Sequence, residues 1–224
     1  MIKYFILPVL LFISITTFAQ NFRLGFQTSP HITWMNSSKG DVINQNVKLG
    51  IKYGLEADIF LAGFPRYLLN TGLFVSNHTF VAQYAADEKF FIAGAEFGSP
   101  VEIRYRLNYI EIPLNIKLRS DQFYRMTFYG QFGLSNLFNI SASAESSDGQ
   151  ISGESINNGV ADRTIRFYNL CMIMGGGVEY DLGGNTALNV GLQYSNGLTD
   201  VTDISNLDEK TVFNSVRLVL GVMF

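Results

Sequence analysis

The stretch VKLGIKYGLEADIFL, residues 47–61, divides its side chains between two faces. Val47, Leu49, Ile51, Tyr53, Leu55, Ala57, Ile59 and Leu61 alternate with Lys48, Gly50, Lys52, Gly54, Glu56 and Asp58. A period of two sustained this long is the repeat of a β-strand, whose successive side chains point to opposite faces. The preceding segment behaves alike. Phe22, Leu24, Phe26, Thr28, Ile32 and Trp34 fall on one face, and Arg23, Gly25, Gln27, Ser29, His31 and Thr33 on the other.

Working outward, the same alternation predicts strands over 67–81, 101–118, 124–140, 165–180, 186–196 and 212–224, which makes eight in all. Within 101–118 the apolar positions move from odd (Ile103, Tyr105, Leu107) to even (Ile112, Leu114, Ile116, Leu118). A β-bulge near Tyr109 or Ile110 is predicted there, to keep one face consistent.

The connections differ by side. AGFPR (62–66), SDQF (120–123) and DLGGN (181–185) are short and rich in turn formers. SSKGDVINQN (37–46), QYAADEKFFIAGAEFGSP (83–100), SASAESSDGQISGESINNGVADR (141–163) and GLTDVTDISNLDEK (197–210) are long and mostly polar. Connections of an up-and-down barrel alternate between its ends, so one end carries the tight turns and the other every long loop. That asymmetry is the mark of an outer-membrane barrel, with short periplasmic turns and long extracellular loops.

A soluble barrel of the lipocalin kind would show the same alternation with its apolar face turned inward. Eight strands enclose a lumen barely wide enough for side chains. Phe22, Phe26, Trp34, Tyr53, Phe128, Phe132, Phe138 and the many Leu and Ile of the apolar face exceed it, whereas the opposite face carries Gly, Ser and a few ions. The apolar face is therefore expected to meet lipid. Phe22, Tyr67, Tyr124, Tyr180 and Phe224 fall at the short-turn end, and Trp34, Tyr105, Phe138, Tyr168 and Tyr194 toward the long loops, as two interfacial girdles would require. Val216, Leu218, Leu220, Val222 and Phe224 form the lipid face of the last strand, which must pair with the first to close the sheet.

Composition agrees. A chain of 224 residues suits one all-β domain, and 47% hydrophobic with 14% aromatic content is high for a soluble protein. Net charge is only −3 with basic residues scattered, which excludes a nucleic-acid binder. Residues 1–19 read as a cleaved signal peptide: Lys3, an apolar run from Tyr4 to Ile15, and Thr17-Phe18-Ala19 before the cut. The run falls short of the ~18 apolar residues of a spanning helix, the alternative reading. The barrel domain then covers 20–224. Cys171 is the single cysteine, so no intramolecular disulfide forms.

The chain resembles the outer-membrane β-barrel family common in Bacteroidetes, called PorT-like or porin family. The residues that carry the resemblance are the AQ ending the signal segment, YIEIPLNIKL (109–118), GGGVEYDLGG (175–184), YSNGLTDV (194–201) and the terminal LVLGVMF. The resemblance implies an outer-membrane location and insertion by the barrel-assembly machinery, with terminal Phe224 as its assembly signal. It also implies an accessory role in type IX secretion as one task within the family.

Candidate chemistry is sparse. Ser76 and His78 share a face as a nucleophile and base might, but that face is luminal, whereas a lipid A-modifying site should open toward the bilayer. His31 has no acid or nucleophile beside it in sequence. Asp200, Asp203, Asp208 and Glu209 cluster in one loop without calcium-loop spacing, and read as a solvated loop. Gly175 to Gly177 lie inside a strand with no following helix, which excludes a phosphate loop and suggests close backbone approach. The informative polar feature is a set of luminal ions: Lys52, Glu56, Glu111 and Arg217 at middle depth, and Arg23, Asp58, Lys117, Arg125 and Glu179 nearer the periplasm. Opposite charges confined there are expected to pair, since an unpaired buried charge is costly. The expectation is a monomeric barrel embedded in bilayer and lipopolysaccharide. It has no catalysis, cofactor or metal, and acts through its extracellular loops or on envelope partners. A narrow channel is the first alternative and a lipid A-modifying enzyme the second.

Overall fold

The structure, a computed structural model, describes residues 22–37, 42–44, 48–61, 64–84, 90–92, 95–97, 101–146, 165–201 and 211–224. The signal segment lies outside them, as do Asp203, Asp208 and Glu209. Eight long strands build the wall: β1 (Phe22–Ser37), β2 (Lys48–Phe60), β3 (Tyr67–Tyr84), β4 (Val101–Arg119), β5 (Met126–Ser146), β6 (Tyr168–Gly183), β7 (Thr186–Gly197) and β8 (Thr211–Met223). Each is antiparallel to its neighbour in sequence, and β8 returns to β1 from Gly25↔Met223 to Ser37↔Thr211. No edge is left, so each strand's backbone groups find partners in the strands beside it, which is the condition for crossing a bilayer with strands.

The chain thus forms a closed antiparallel eight-stranded barrel. Its outer face is the apolar one: Leu49 is 78% exposed and Leu55 51%, with Phe26, Phe128, Phe132, Leu192 and Leu218 also exposed. Its inner face buries Lys52, Glu56, Asp58, Glu111, Lys117 and Arg217. Two of the long connections contain further short strands. Val42–Asn44 extends the sheet beside the end of β3, and Phe90–Ile92 pairs with Ala95–Phe97. The latter follows from β-forming Phe90, Phe91, Ile92 and Phe97 placed on either side of Gly94.

The fourth strand departs from its sequence reading. In β4 Tyr105, Leu107, Tyr109, Glu111, Asn115 and Lys117 are all buried, so one parity points inward throughout. The register does shift at Asn108/Tyr109, but the extra residue belongs to β5: Tyr109 pairs with Asn139 and Asn108 with Ser141, which skips Ile140. No bulge is needed in β4, because what changes along it is polarity. Below Ile110 the outward residues are apolar; above it they are Asn108, Arg106 and Arg104, and the inward ones become Tyr109, Leu107 and Tyr105. Tyr105 therefore belongs to the lumen, stacked on Phe80 at 5.2 Å, and not to the upper girdle.

Near this inversion the outside carries bonded polar side chains, two amide pairs and one tyrosine on an amide. Asn77 Nδ2 donates to Asn108 Oδ1 (2.7 Å), Tyr168 Oη to Asn136 Oδ1 (2.9 Å) and Asn196 Nδ2 to Asn214 Oδ1 (2.6 Å). Trp34 and Tyr194 lie 6.3 Å apart near the last of these. At the opposite end Phe22, Tyr67, Tyr180 and Phe224 are exposed. Tyr124 is exposed there too, but in the turn before β5 and with φ of 56°, not on a strand.

Candidate functional site

The inward polar residues converge in two tiers because eight strands leave no room to keep them apart. In the upper tier Glu111 of β4 is the hub. Its Oε1 accepts from Lys52 Nζ of β2 at 2.7 Å, Arg217 Nη1 of β8 at 2.7 Å and Ser135 Oγ of β5 at 2.8 Å. Strands β4 and β8 stand opposite each other in the ring, so the Glu111–Arg217 pair crosses the whole lumen. Arg217 is held by Ser215 Oγ, to which Nε donates at 3.2 Å, and Lys52 Nζ lies 4.2 Å over the Phe74 ring.

The lower tier repeats the device on the perpendicular diameter. Lys117 Nζ of β4 reaches Asp58 Oδ2 of β2 at 2.9 Å and Glu179 Oε1 of β6 at 2.7 Å. Strands β2 and β6 are likewise opposite in the ring. Arg23 Nη2 donates to Asp58 Oδ2 (2.8 Å) and to Glu179 (3.1 Å), and Arg119 Nη2 lies 2.9 Å from Glu179 Oε2. Glu56 makes no ion pair among the described residues; Asn70 Nδ2 donates both to its Oε1 and to Asp58 Oδ1 at 2.7 Å.

Arg125 takes no part. Strand β5 starts at Met126, two residues later than the alternation predicts, so Arg125 lies exposed in the preceding turn, and its carbonyl accepts from the Asp181 N–H at 2.7 Å. Arg119 stands in its place. Its signal was present in the odd register it shares with Lys117, at the end of a strand predicted to stop at 118. Asn70 and Ser135, neutral and unremarked in the sequence, complete the two tiers.

The glycine run has a packing reason. A side chain at Gly177 of β6 or Gly191 of β7 would collide with Tyr129 Oη, and the Tyr129 ring carries Lys117 Nζ at 4.6 Å. Above the ions, His31 and His78 face each other with ring centroids 4.7 Å apart, across Gly50, whose missing side chain makes the space. His31 Nδ1 is 3.2 Å from the Ser29 carbonyl, and His78 Nδ1 is 3.2 Å from Thr33 Oγ1. Ser76 is not His78's partner, and both are buried. Phe213, Tyr109, Leu107, Phe80, Tyr105 and Met35 close the lumen above as an apolar cap. Below the lower tier the barrel opens into a cavity of ≈330 Å³ lined by Arg23, Arg119, Glu179, Asp181, Phe60 and Phe224. Asp200, the described member of the acidic loop cluster, accepts from Thr211 N and Oγ1 at 2.9 and 3.0 Å.

The family described as outer membrane protein beta-barrel domain has a model that matches residues 18–223, almost the entire sequence. No curated protein sequence matches. Similar solved structures include Neisserial surface protein A, at 14% identity over 89% of this chain and 95% of that one, with a TM-score of 0.46. Another is Ail, the attachment invasion locus protein of Yersinia pestis, at 12% identity over 91% and 98%, with a TM-score of 0.38. A third is the outer membrane protease OmpT of Escherichia coli, at 10% identity over 91% and 95%, with a TM-score of 0.44. The chain belongs to the outer-membrane β-barrel domain family, and its place is the bacterial outer membrane.

Proposed function

We propose that this outer-membrane barrel is a sealed platform, which acts through its extracellular side and its envelope partners and conducts nothing steadily. One observation carries the reading. Glu111 joins Arg217 to Lys52 at 2.7 Å each, with the Glu111–Arg217 bond running wall to wall, under an apolar cap of Phe80, Tyr105, Tyr109 and Phe213. An open channel keeps its charged walls apart and wet; here opposite walls touch. Catalysis is not part of the reading, because Ser76 and His78 are wholly buried and His78 is turned to Thr33. An accessory role in secretion, as the PorT-like resemblance implies, fits within it, and so does delivery by the barrel-assembly machinery with Phe224 as part of the signal.

The test is single-channel recording. The purified barrel in planar bilayers is expected to show little steady conductance. Arg217→Glu, which sets a second carboxylate against Glu111, is expected to weaken the barrel or open it intermittently. Large, steady currents from the parent, with Arg217→Glu shifting only ion preference, would overturn the proposal in favour of a narrow channel.

A further inference from the structure

The chain has two histidines, and the fold stacks one on the other. His31 of β1 and His78 of β3 stand on either side of β2 and meet over Gly50, with ring centroids 4.7 Å apart. One nitrogen of each ring is spent on the wall. His31 Nδ1 donates to the Ser29 carbonyl, so in the neutral ring Nε2 keeps a lone pair, and His78 Nδ1 is tied to Thr33 Oγ1. Nε2 of both rings is buried and has no hydrogen-bond partner. The pair is also the joint between the two halves of the plug. His31 stands across from Arg217 of the ionic hub in the register, and the His78 ring lies 4.8 Å from Phe213 and 5.8 Å from Tyr109 of the apolar cap.

We propose that the His31–His78 pair is an acid-sensitive lock on the lumen, so that the barrel, closed at neutral pH, passes small ions in bursts once both rings are protonated. Among the described residues the charged groups around the pair are Lys52 of β2, Glu111 of β4 and Arg217 of β8, all buried. The other titratable side chains near this level are Tyr109 of β4 and Cys171 of β6, which stands across from Ser135 in the register. Neither carries a negative charge at or below neutral pH. Two imidazoliums would therefore set four positive charges against the one Glu111 carboxylate, which Lys52 and Arg217 already share. The new N–H at His31 Nε2 would find no acceptor in the closed lumen. Uncompensated charge is costly in a closed interior, and water admitted past a displaced cap relieves it. Acid thus favours the open state, and a ring packed against Phe213 and Tyr109 is placed to shift the cap. The lock presupposes the sealed lumen proposed above: steady currents at neutral pH would sink that reading, whereas silence at every pH would sink the lock alone.

The test is single-channel recording across pH, on an untagged barrel whose imidazoles are His31 and His78 alone. An imidazole in water protonates near about pH 6.5, so a ring that gains its proton only in the open lumen multiplies the open-to-closed ratio by about 30 between pH 7.5 and pH 5. The parent is expected to be quiet at the higher pH and to open intermittently at the lower, with the ratio raised by at least that factor and closure restored on return. His31→Gln with His78→Gln should keep the change of gel migration on boiling and stay quiet throughout. A parent as quiet in acid as at neutral pH overturns the proposal. So does a double variant that still opens in acid, which would assign the effect to the carboxylates. Should the double variant fail to insert, imidazole NMR of the parent decides. Its two histidine signals are expected to take up protons over the range in which openings appear, and rings still neutral there overturn the lock.

Discussion

Below Ile110 the wall of β3, β4 and β5 is greasy outside and ionic inside; above it the same three strands are polar outside and apolar inside. The lower part shows Leu73, Leu114, Phe132 and Leu134 to lipid and encloses Lys52, Glu111 and Lys117, whereas the upper part shows Arg104, Arg106 and Thr79 and encloses Phe80, Tyr105 and Leu107. One backbone runs through both without a break in β4. The difference teaches that the inside of a sheet is defined by the solvent on its other side: where lipid stops and water begins, the apolar residues change face and the fold does not.

Three substitutions sharpen the contrast. The largest effect is expected from Glu111→Ala, which strands Lys52 and Arg217, both buried, without their shared acceptor. Removing one partner of a buried pair costs about 3–5 kcal/mol. Unfolding in urea from lipid vesicles should register that loss, and an unchanged midpoint would mean that water already screens the hub. Next is Leu55→Arg, midway along β2 and facing lipid, expected to cost about 2–4 kcal/mol in the same assay. Smallest is Thr79→Arg, also outward but above the inversion, where a surface change should fall within about 0.5 kcal/mol. If both arginines cost the same, the boundary between the two parts is misplaced.

Much of this was legible in the alternation alone. Strand number, inward and outward parity, and the burial of Lys52, Glu56, Asp58, Glu111, Lys117, Glu179 and Arg217 follow from a period of two, which is a local property. The inversion in β4 is visible in the sequence as the shift from Leu107 to Ile112, but with one solvent along the whole strand the same shift reads as a bulge. Arg125 reads as luminal and Arg119 does not because composition places the turn between 118 and 124, whereas β4 runs on to Arg119 and β5 starts only at Met126. Which ion meets which could not be read at all. Glu111 and Arg217 touch because of how the ring closes, and nothing in their spacing announces it.

That closure also orders events in time. The Glu111–Arg217 bond joins residues 106 positions apart, and Arg217 sits on the strand that completes the ring. While the wall is an open sheet the two ends are far apart, so Glu111 has only Lys52 and Ser135 and the lumen stands open to water. Contacts of such long range make folding slow. This one forms only as β8 docks on β1, so the hub works as a latch: it strengthens the finished barrel against reopening and contributes nothing to any intermediate before it.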